Sequence, residues 1–252
     1  MKASKYIVCI FLSLFCLNSP AKTIADLVYV IDQFEPYNYR AADGSIQGFA
    51  VDILNQVWRL SGTEAQTIQV YPWARGYKLA QKQKNTLLFS TTRSLSREHK
   101  FKWACPIGYT RIVLIARRSQ NIKIQTIDDA KKYKTVAIMS DIGHQMLQKN
   151  HFDNTKIELS NSLDNALIML TKGRVDFISI SESIALPKLV KMGESLKNYQ
   201  IVWVLEAFPI CFAFNPETDD ALVNMFQDAL DEVHETPNFV QALKQKYHLV
   251  LE

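Results

Sequence analysis

Arg97 follows Ser90 and Thr92 directly behind an apolar run at residues 86–89. A guanidinium is a planar fork of donors that can meet a carboxylate bidentately. Hydroxyls at Ser90 and Thr92 could complete a cage around the anion. The plain alternative for Arg97 is a surface pairing with Glu98 or an Asp. Arg93, in the same stretch, has no apolar shelter among its neighbours, so a solvated role is expected for it. At the start of a later helix the backbone N–H groups of Ile142 and Gly143 could donate to the same anion, because helix N-termini favour negative charge.

These residues need elements to hold them. "DLVYVI" (26–31) is short and β-branched, and reads as a strand. Residues 48–62 put Phe49, Ile53, Val57 and Leu60 at helical spacing and stop at Gly62. "TIQVY" (67–71) is a strand, and Pro72 opens a helix over residues 73–83. "TLLFS" (86–90) feeds the Arg97 motif, and "YTRIVLIAR" (109–117) is a further strand. Strand and helix patterns then alternate to about residue 193. "IVWVLE" (201–206) and "CFAFN" (211–215) read as two strands, and two helices close the chain. This order predicts an α/β protein with largely parallel sheets. In such sheets ligands sit at the carboxyl ends of strands. The Arg97 motif, "SDIGHQ" (140–145) and "SESIA" (181–185) all follow strands, which suggests one shared cleft.

Composition removes several classes. Lys2 and Lys5 precede an apolar run at residues 6–17, followed by Pro20 and two small-residue exits, Ala21 and Ala25. This is the three-part pattern of a secretory signal peptide, expected over residues 1–25. At about 12 residues the run is shorter than the roughly 20 that a bilayer span needs. Phe15 before Cys16 argues against a lipid-anchored form. The full chain carries +4, and three of its lysines (Lys2, Lys5 and Lys22) leave with the signal. No basic excess remains to suggest nucleic acid. Nor does any cofactor or metal motif occur: there is no Gly-rich phosphate loop, no C-x-x-C and no H-E-x-x-H. Cys105 and Cys211 remain after export, either as a disulfide or as two small buried thiols.

Four stretches together resemble a known family. Residues 34–54, "FEPYNYRAADGSIQGFAVDIL", carry Phe34, Pro36, Tyr37, Gly44, Gly48, Phe49 and Asp52 in order. Residues 90–107, "STTRSLSREHKFKWACPI", follow with Ser90, Thr92 and Arg97. "VAIMSDIGHQML" (136–147) and "GRVDFISISE" (173–182) complete the set. In this order they are similar to the bacterial extracellular solute-binding proteins of family 3, the polar amino acid type. The resemblance implies a two-lobed, type II periplasmic binding protein-like fold: two mixed sheets with flanking helices, joined by a two-strand hinge. The lobes would span residues 26–108 with 211–252, and residues 109–210. Crossing strands are expected near 106–111 and 208–214, where a Cys105–Cys211 bridge would staple the hinge if the strands adjoin.

The resemblance also implies a function. The chain would be a monomeric periplasmic protein, not an enzyme. It would capture a small carboxylate-bearing ligand between its lobes and deliver it to an inner-membrane ABC permease or a receptor. Ser90, Thr92, Arg97, Ile142 and Gly143 would hold the carboxylate, and Phe34 and Trp73 would line the side-chain pocket, with Tyr37 packed beneath. Two departures stand out. Where the family usually has an Asp for the ligand ammonium, this chain has Ser181 with Glu182 beside it, so either Glu182 takes over or the ligand lacks an α-amino group. The family's Gly-Thr turn becomes Asp141-Ile142-Gly143, and Asp141 is expected to cap the helix that follows. Alternatives of another class are a dehydratase-like enzyme using Glu182 or Glu35 as general acid, and a sensor domain without a solute. Glu35, at the expected cleft mouth, could also meet a cationic group or be plain surface.

Overall fold

The computed structural model describes residues 23–247 and 249. The first 22 residues of the expected signal peptide lie outside the described residues. After a short 3-10 turn at Ile24–Asp26, the chain forms β1 (Val28–Ile31), β2 (Tyr39–Arg40), β3 (Ile46–Gln47) and α1 (Phe49–Leu60). β4 (Ile68–Val70), α2 (Trp73–Lys82), β5 (Thr86–Thr92) and β6 (Lys102–Arg117) follow. Next are α3 (Ile127–Ala130), β7 (Thr135–Ile138), α4 (Ile142–Lys149), β8 (Ile157–Ser160), α5 (Leu163–Thr171) and β9 (Phe177–Ser181). α6 (Glu182–Lys191), β10 (Tyr199–Phe214), α7 (Asp220–Glu235) and α8 (Phe239–Lys246) complete the fold.

The main sheet has the order β4-β1-β5-β10-β6-β9-β7-β8. One half holds β4, β1 and β5 in parallel, and the other holds β8, β7 and β9 in parallel. β6 and β10 run antiparallel to each other from the Lys102–Phe214 pair to the Arg117–Tyr199 pair. Each is 16 residues long, or about 50 Å at roughly 3.3 Å per residue. That length carries both strands through the two halves, so the two expected sheets are hydrogen-bonded into one. "IVWVLE" and "CFAFN" accordingly belong to one strand. Pro209 lies between them in a strand-permitted position. The β10–β5 ladder pairs Ile210 with Thr92, so Pro209 sits just past its end, where a missing N–H is tolerated. Arg93 N–H donates to the Pro209 carbonyl (3.0 Å). Cys105 on β6 and Cys211 on β10 are bridged (S–S 2.06 Å).

Local sequence explains how α1 is set. Gly48 has φ +135°, and a Cβ there would stand 2.2 Å from the Tyr37 carbonyl oxygen. The close approach lets Phe49 N–H and Ala50 N–H donate to the Pro36 and Tyr37 carbonyls (2.9 and 2.8 Å). Two helix-end donors that would otherwise lack partners are satisfied, and the 34–38 turn is pinned over the helix. Phe49, Ile53 and Val57 are fully buried beneath it, each stabilising the fold by about 1.5–3 kcal/mol relative to exposure. Tyr37 lies in this core, with its ring centroid 5.3 Å from that of Phe34.

Ile24 is fully buried, and the Tyr29 hydroxyl donates to its carbonyl (2.8 Å). A cut after Ala25 would remove that turn, whereas a cut after Ala21 would keep it. Among the described residues no helix is long and apolar enough to cross a membrane.

Candidate functional site

The carboxyl ends of β1, β5, β7 and β9 open on one cleft of about 890 Å³. Phe34, Trp73, Ser90, Thr92, Arg97, Ile142 and Ser181 all line it. Gly143 and Glu182 are not among its lining residues.

One half of the cleft is built behind β5. Ser90 has φ +61°, a left-handed conformation that costs a non-glycine residue on the order of 1 kcal/mol or more. Its hydroxyl is buried without a partner. Arg97 is fully buried. Its Nη1 donates to the Thr92 carbonyl (3.2 Å) and its Nη2 to the Ser140 carbonyl (3.4 Å). The Trp73 and Tyr77 rings flank the guanidinium at 5.2 and 5.3 Å. Arg97 Nε has no partner. Burial lowers the Arg97 pKa from its ordinary value, opposed by the charges of Asp141 and Tyr77. An unmade bond on a buried donor costs about 1–3 kcal/mol, so a site with two such donors favours an acceptor entering from outside. Arg93 is elsewhere engaged: its Nε and Nη2 grip the Glu98 carboxylate (2.8 and 2.5 Å). The surface pairing considered for Arg97 therefore belongs to Arg93.

The opposite wall comes from α4 and β9. Gly143 has no room for a side chain, since a Cβ would meet the Ser179 carbonyl oxygen at 2.2 Å. Ser179 Oγ also donates to the Gly143 carbonyl (2.9 Å), docking α4 on β9. Gly143 thus serves helix–strand contact. Asp141 occupies the N-cap position of α4 but makes no side-chain cap hydrogen bond. Its Oδ1 lies 4.0 Å from Arg97 Nη2. Burial raises the Asp141 pKa, while Arg97 and the nearby Ile142 and Gly143 N–H groups oppose the rise. Ser181 Oγ is within 2.5 Å of Thr110 Oγ1 and 2.8 Å of Ser183 Oγ. Glu182, the first residue of α6, does not line the cleft. Its carboxylate takes both Arg111 Nε and Nη2 (2.5 and 2.8 Å).

Further contacts join Arg97–Ser140 in tying the walls together. Trp73 Nε1 donates to the Ser140 carbonyl (3.3 Å), and Ser96 Oγ donates to Gln145 Oε1 (2.8 Å). At the mouth, Lys191 Nζ bonds Glu35 Oε2 (2.7 Å). A buried acid of the cleft escaped the sequence reading. Asp32, just past β1, lines the cleft, and burial, then the charge of Asp141, raises its pKa to about 7. Its position at a strand's carboxyl end was the available signal. Among the described residues no group of three or more His, Cys, Asp or Glu could hold a metal ion.

The family model for bacterial extracellular solute-binding proteins, family 3, matches residues 27–250. A probable histidine-binding protein of Neisseria gonorrhoeae is 23% identical over 217 residues, covering 82% of this chain and 77% of that one. Among solved structures, a histidine kinase sensor domain with similarity to periplasmic binding proteins superposes with a TM-score of 0.79 at 18% identity, covering 90% and 98% of the two chains. A substrate-binding protein of an ABC uptake transporter from Streptococcus pneumoniae, with bound histidine, gives 0.77 at 21% identity over 87% and 91%. At these identities the structural matches establish the two-lobed fold.

Proposed function

The chain belongs to the bacterial extracellular solute-binding proteins, family 3, and from that premise we propose that it captures a small carboxylate-bearing solute, an amino acid or close analogue, for ABC-type uptake. The observation that carries the reading is the pair of buried, unpartnered donors, Ser90 Oγ and Arg97 Nε, lining a cleft between the halves of the sheet. A carboxylate entering there accepts from Ser90 and Arg97. Thr92 and the Ile142 N–H complete its surroundings, and Phe34 and Trp73 enclose the rest of the ligand. Contact with both walls favours the closed form. The lobes are residues 26–108 with 211–252, and residues 109–210, hinged where β6 and β10 pass between them. The partner is an inner-membrane permease, and the protein works in the periplasm as a monomer after loss of its signal peptide. The buried Ile24 favours the cut after Ala21, so the mature chain begins at Lys22. Mass spectrometry of the exported protein checks this, and a start at Asp26 would refute it.

A binding role is favoured over turnover because both carboxylates considered as general acids are held in ion pairs, Glu182 by Arg111 and Glu35 by Lys191. The test of capture is a thermal-shift screen against amino acids, small carboxylates and amines. A ligand at 100 times its Kd adds about 2.7 kcal/mol, or roughly 5–10 °C for a chain of this size. Absence of any shift would remove the reading.

A further inference from the structure

The two walls of the cleft also meet where no ligand has to stand. Ser96 Oγ donates to Gln145 Oε1 (2.8 Å). Neither residue lines the main cleft, and both line a second cavity of about 570 Å³. Gln145 uses the other end of its amide too: Nε2 donates to the Ser140 carbonyl (3.4 Å). That carbonyl accepts from Trp73 Nε1 and Arg97 Nη2 across the cleft (3.3 and 3.4 Å). Ser140 has φ +62°, a left-handed conformation that a non-glycine residue keeps only where its surroundings over-determine it. Trp73, Ser96 and Arg97 belong to the first lobe of the proposed division, and Ser140 and Gln145 to the second. Every donor and acceptor in this set comes from the chain itself, so the contacts form with the cleft filled or empty.

Opening the lobes breaks Ser96–Gln145 and strips both cross-lobe donors from Ser140. One such bond, net of the water that replaces it, shifts an equilibrium about 2- to 10-fold. We propose that Gln145 is a positioning residue that latches the lobes, so that the ligand-free protein is mostly closed and a solute enters through a minor open form. The proposal rests on capture between the lobes and adds how entry is gated. A closed form already populated costs the ligand little to select, and the scarcity of the open form slows association.

Losing the latch then acts unequally on rates and affinity. If closed exceeds open about tenfold, a fivefold weakening of the latch raises association roughly fourfold and release roughly fivefold, and lowers affinity less than about twofold. If the free protein were mostly open, the same weakening would leave association unchanged and lower affinity by nearly the full factor of about five.

The experiment is small-angle X-ray scattering followed by stopped-flow binding, on the mature protein stripped of co-purified solute by unfolding and refolding with its disulfide intact. The chains are the wild type, Gln145→Met, Ser96→Ala and, as a control on an exposed residue of the same cavity, Gln148→Ala. Without ligand, the wild-type profile should match the dimensions of the structure, and Gln145→Met and Ser96→Ala should both be more extended. Two variants on opposite sides of one bond guard against a folding defect in either. The binding probe is the standard L-amino acid that gives the largest thermal shift. With it the wild type should not contract further, and both latch variants should associate about fourfold faster, with affinity changed less than about twofold. Gln148→Ala should match the wild type throughout. A wild type that is extended alone and contracts on binding overturns the proposal. So does an unchanged association rate with a proportionate loss of affinity in the latch variants. If no amino acid binds, the capture reading falls, and the scattering of the ligand-free chains still decides the latch.

Discussion

β5 and β9 each deliver a buried serine to the same cleft, but in different states. Ser90 sits within β5, two residues before its end, in a left-handed conformation with its hydroxyl unpaired. Ser181 ends its strand in an extended conformation, bonded to Thr110 and Ser183. Behind Ser90 stands Arg97, with one donor unused. Beside Ser181 stands Glu182, with both oxygens held by Arg111. A polar group already satisfied by its own chain gains little from a ligand, because one hydrogen bond replaces another. One left unsatisfied gains nearly the full strength of the new bond. The difference sets a β5 side with unpaired buried donors against a β9 side whose polar groups pair within the chain, and on the proposed reading the first takes the ligand and the second is a wall.

The sharpest way to break this contrast is to truncate both sides. Arg97→Ala should lower affinity by roughly 10- to 150-fold, since a buried charge-assisted contact is worth about 1.5–3 kcal/mol. Ser181→Ala should change it by less than about threefold. Arg93→Ala, which removes a partly exposed pair with Glu98, should match the Ser181 variant. Titration of each against the best ligand of the screen decides. Equal losses at Arg97 and Arg93, or a larger loss at Ser181, would reverse the assignment of the two walls.

The Cys105–Cys211 bridge belongs to neither wall. It joins the two strands that both halves share and closes a chain segment with a separation of 106 residues. Loss of a bridge over such a loop costs about 2–5 kcal/mol. Cys105→Ser with Cys211→Ser should lower the melting temperature by roughly 5–15 °C, while the ranking of ligands stays the same. A changed ranking would mean that the strand pair sets the geometry of the site and not only its stability.

Much of this was legible in the sequence, and the misses have physical causes. α1 was readable because its apolar spacing, Gly48 and Gly62 agree. The reason for Gly48, a carbonyl pressed against its Cα, exists only once Tyr37 is placed. β10 was read as two strands, 201–206 and 211–215, with Pro209 in the gap that the folded strand runs through; a sequence does not say which side of a strand is paired at a given residue. The β2–β3 hairpin is two residues a side, too short to show alternation. Arg97 and Ser90, singled out by chemical type, line the cleft. Glu182 was placed in the site because its type is right, but type carries no direction. Asp32 was given no role because it falls just past the strand read over 26–31, and Asp141 was expected to cap α4. Charge balance between distant segments is a property of the folded cleft.

Asp32 offers a finer test, one that separates stability from binding. Its pKa rises from the ordinary 3.8 to about 7, first through burial and then through Asp141. The folded state therefore holds a proton that the unfolded chain releases between those values. Stability falls as pH climbs through that window, and the penalty is complete above it. Allowing for its partial exposure at the cleft, the cost at pH 8 is about 2 kcal/mol. Asp32→Asn should melt roughly 4–8 °C above the wild type at pH 8, and the gain should vanish at pH 4. A gain that persists at pH 4 would mean that the carboxylate's charge is not the cause.

The smallest expected effect lies at the mouth, where Lys191 and Glu35 meet across the cleft entrance. Their side chains are 63% and 41% exposed, and an exposed pair is worth about 0–1 kcal/mol. The pair joins the two walls, so it acts on closure and not on the anchoring of the ligand. Glu35→Gln should speed ligand release by less than about fivefold and leave the association rate nearly unchanged. In 1 M NaCl, where charges are screened beyond about 3 Å, variant and wild type should release at the same rate. Stopped-flow displacement at low and high salt reads this directly. A loss of affinity that survives 1 M salt would place Glu35 in contact with the ligand itself, and would move part of the waiting surface from the β5 side to the rim.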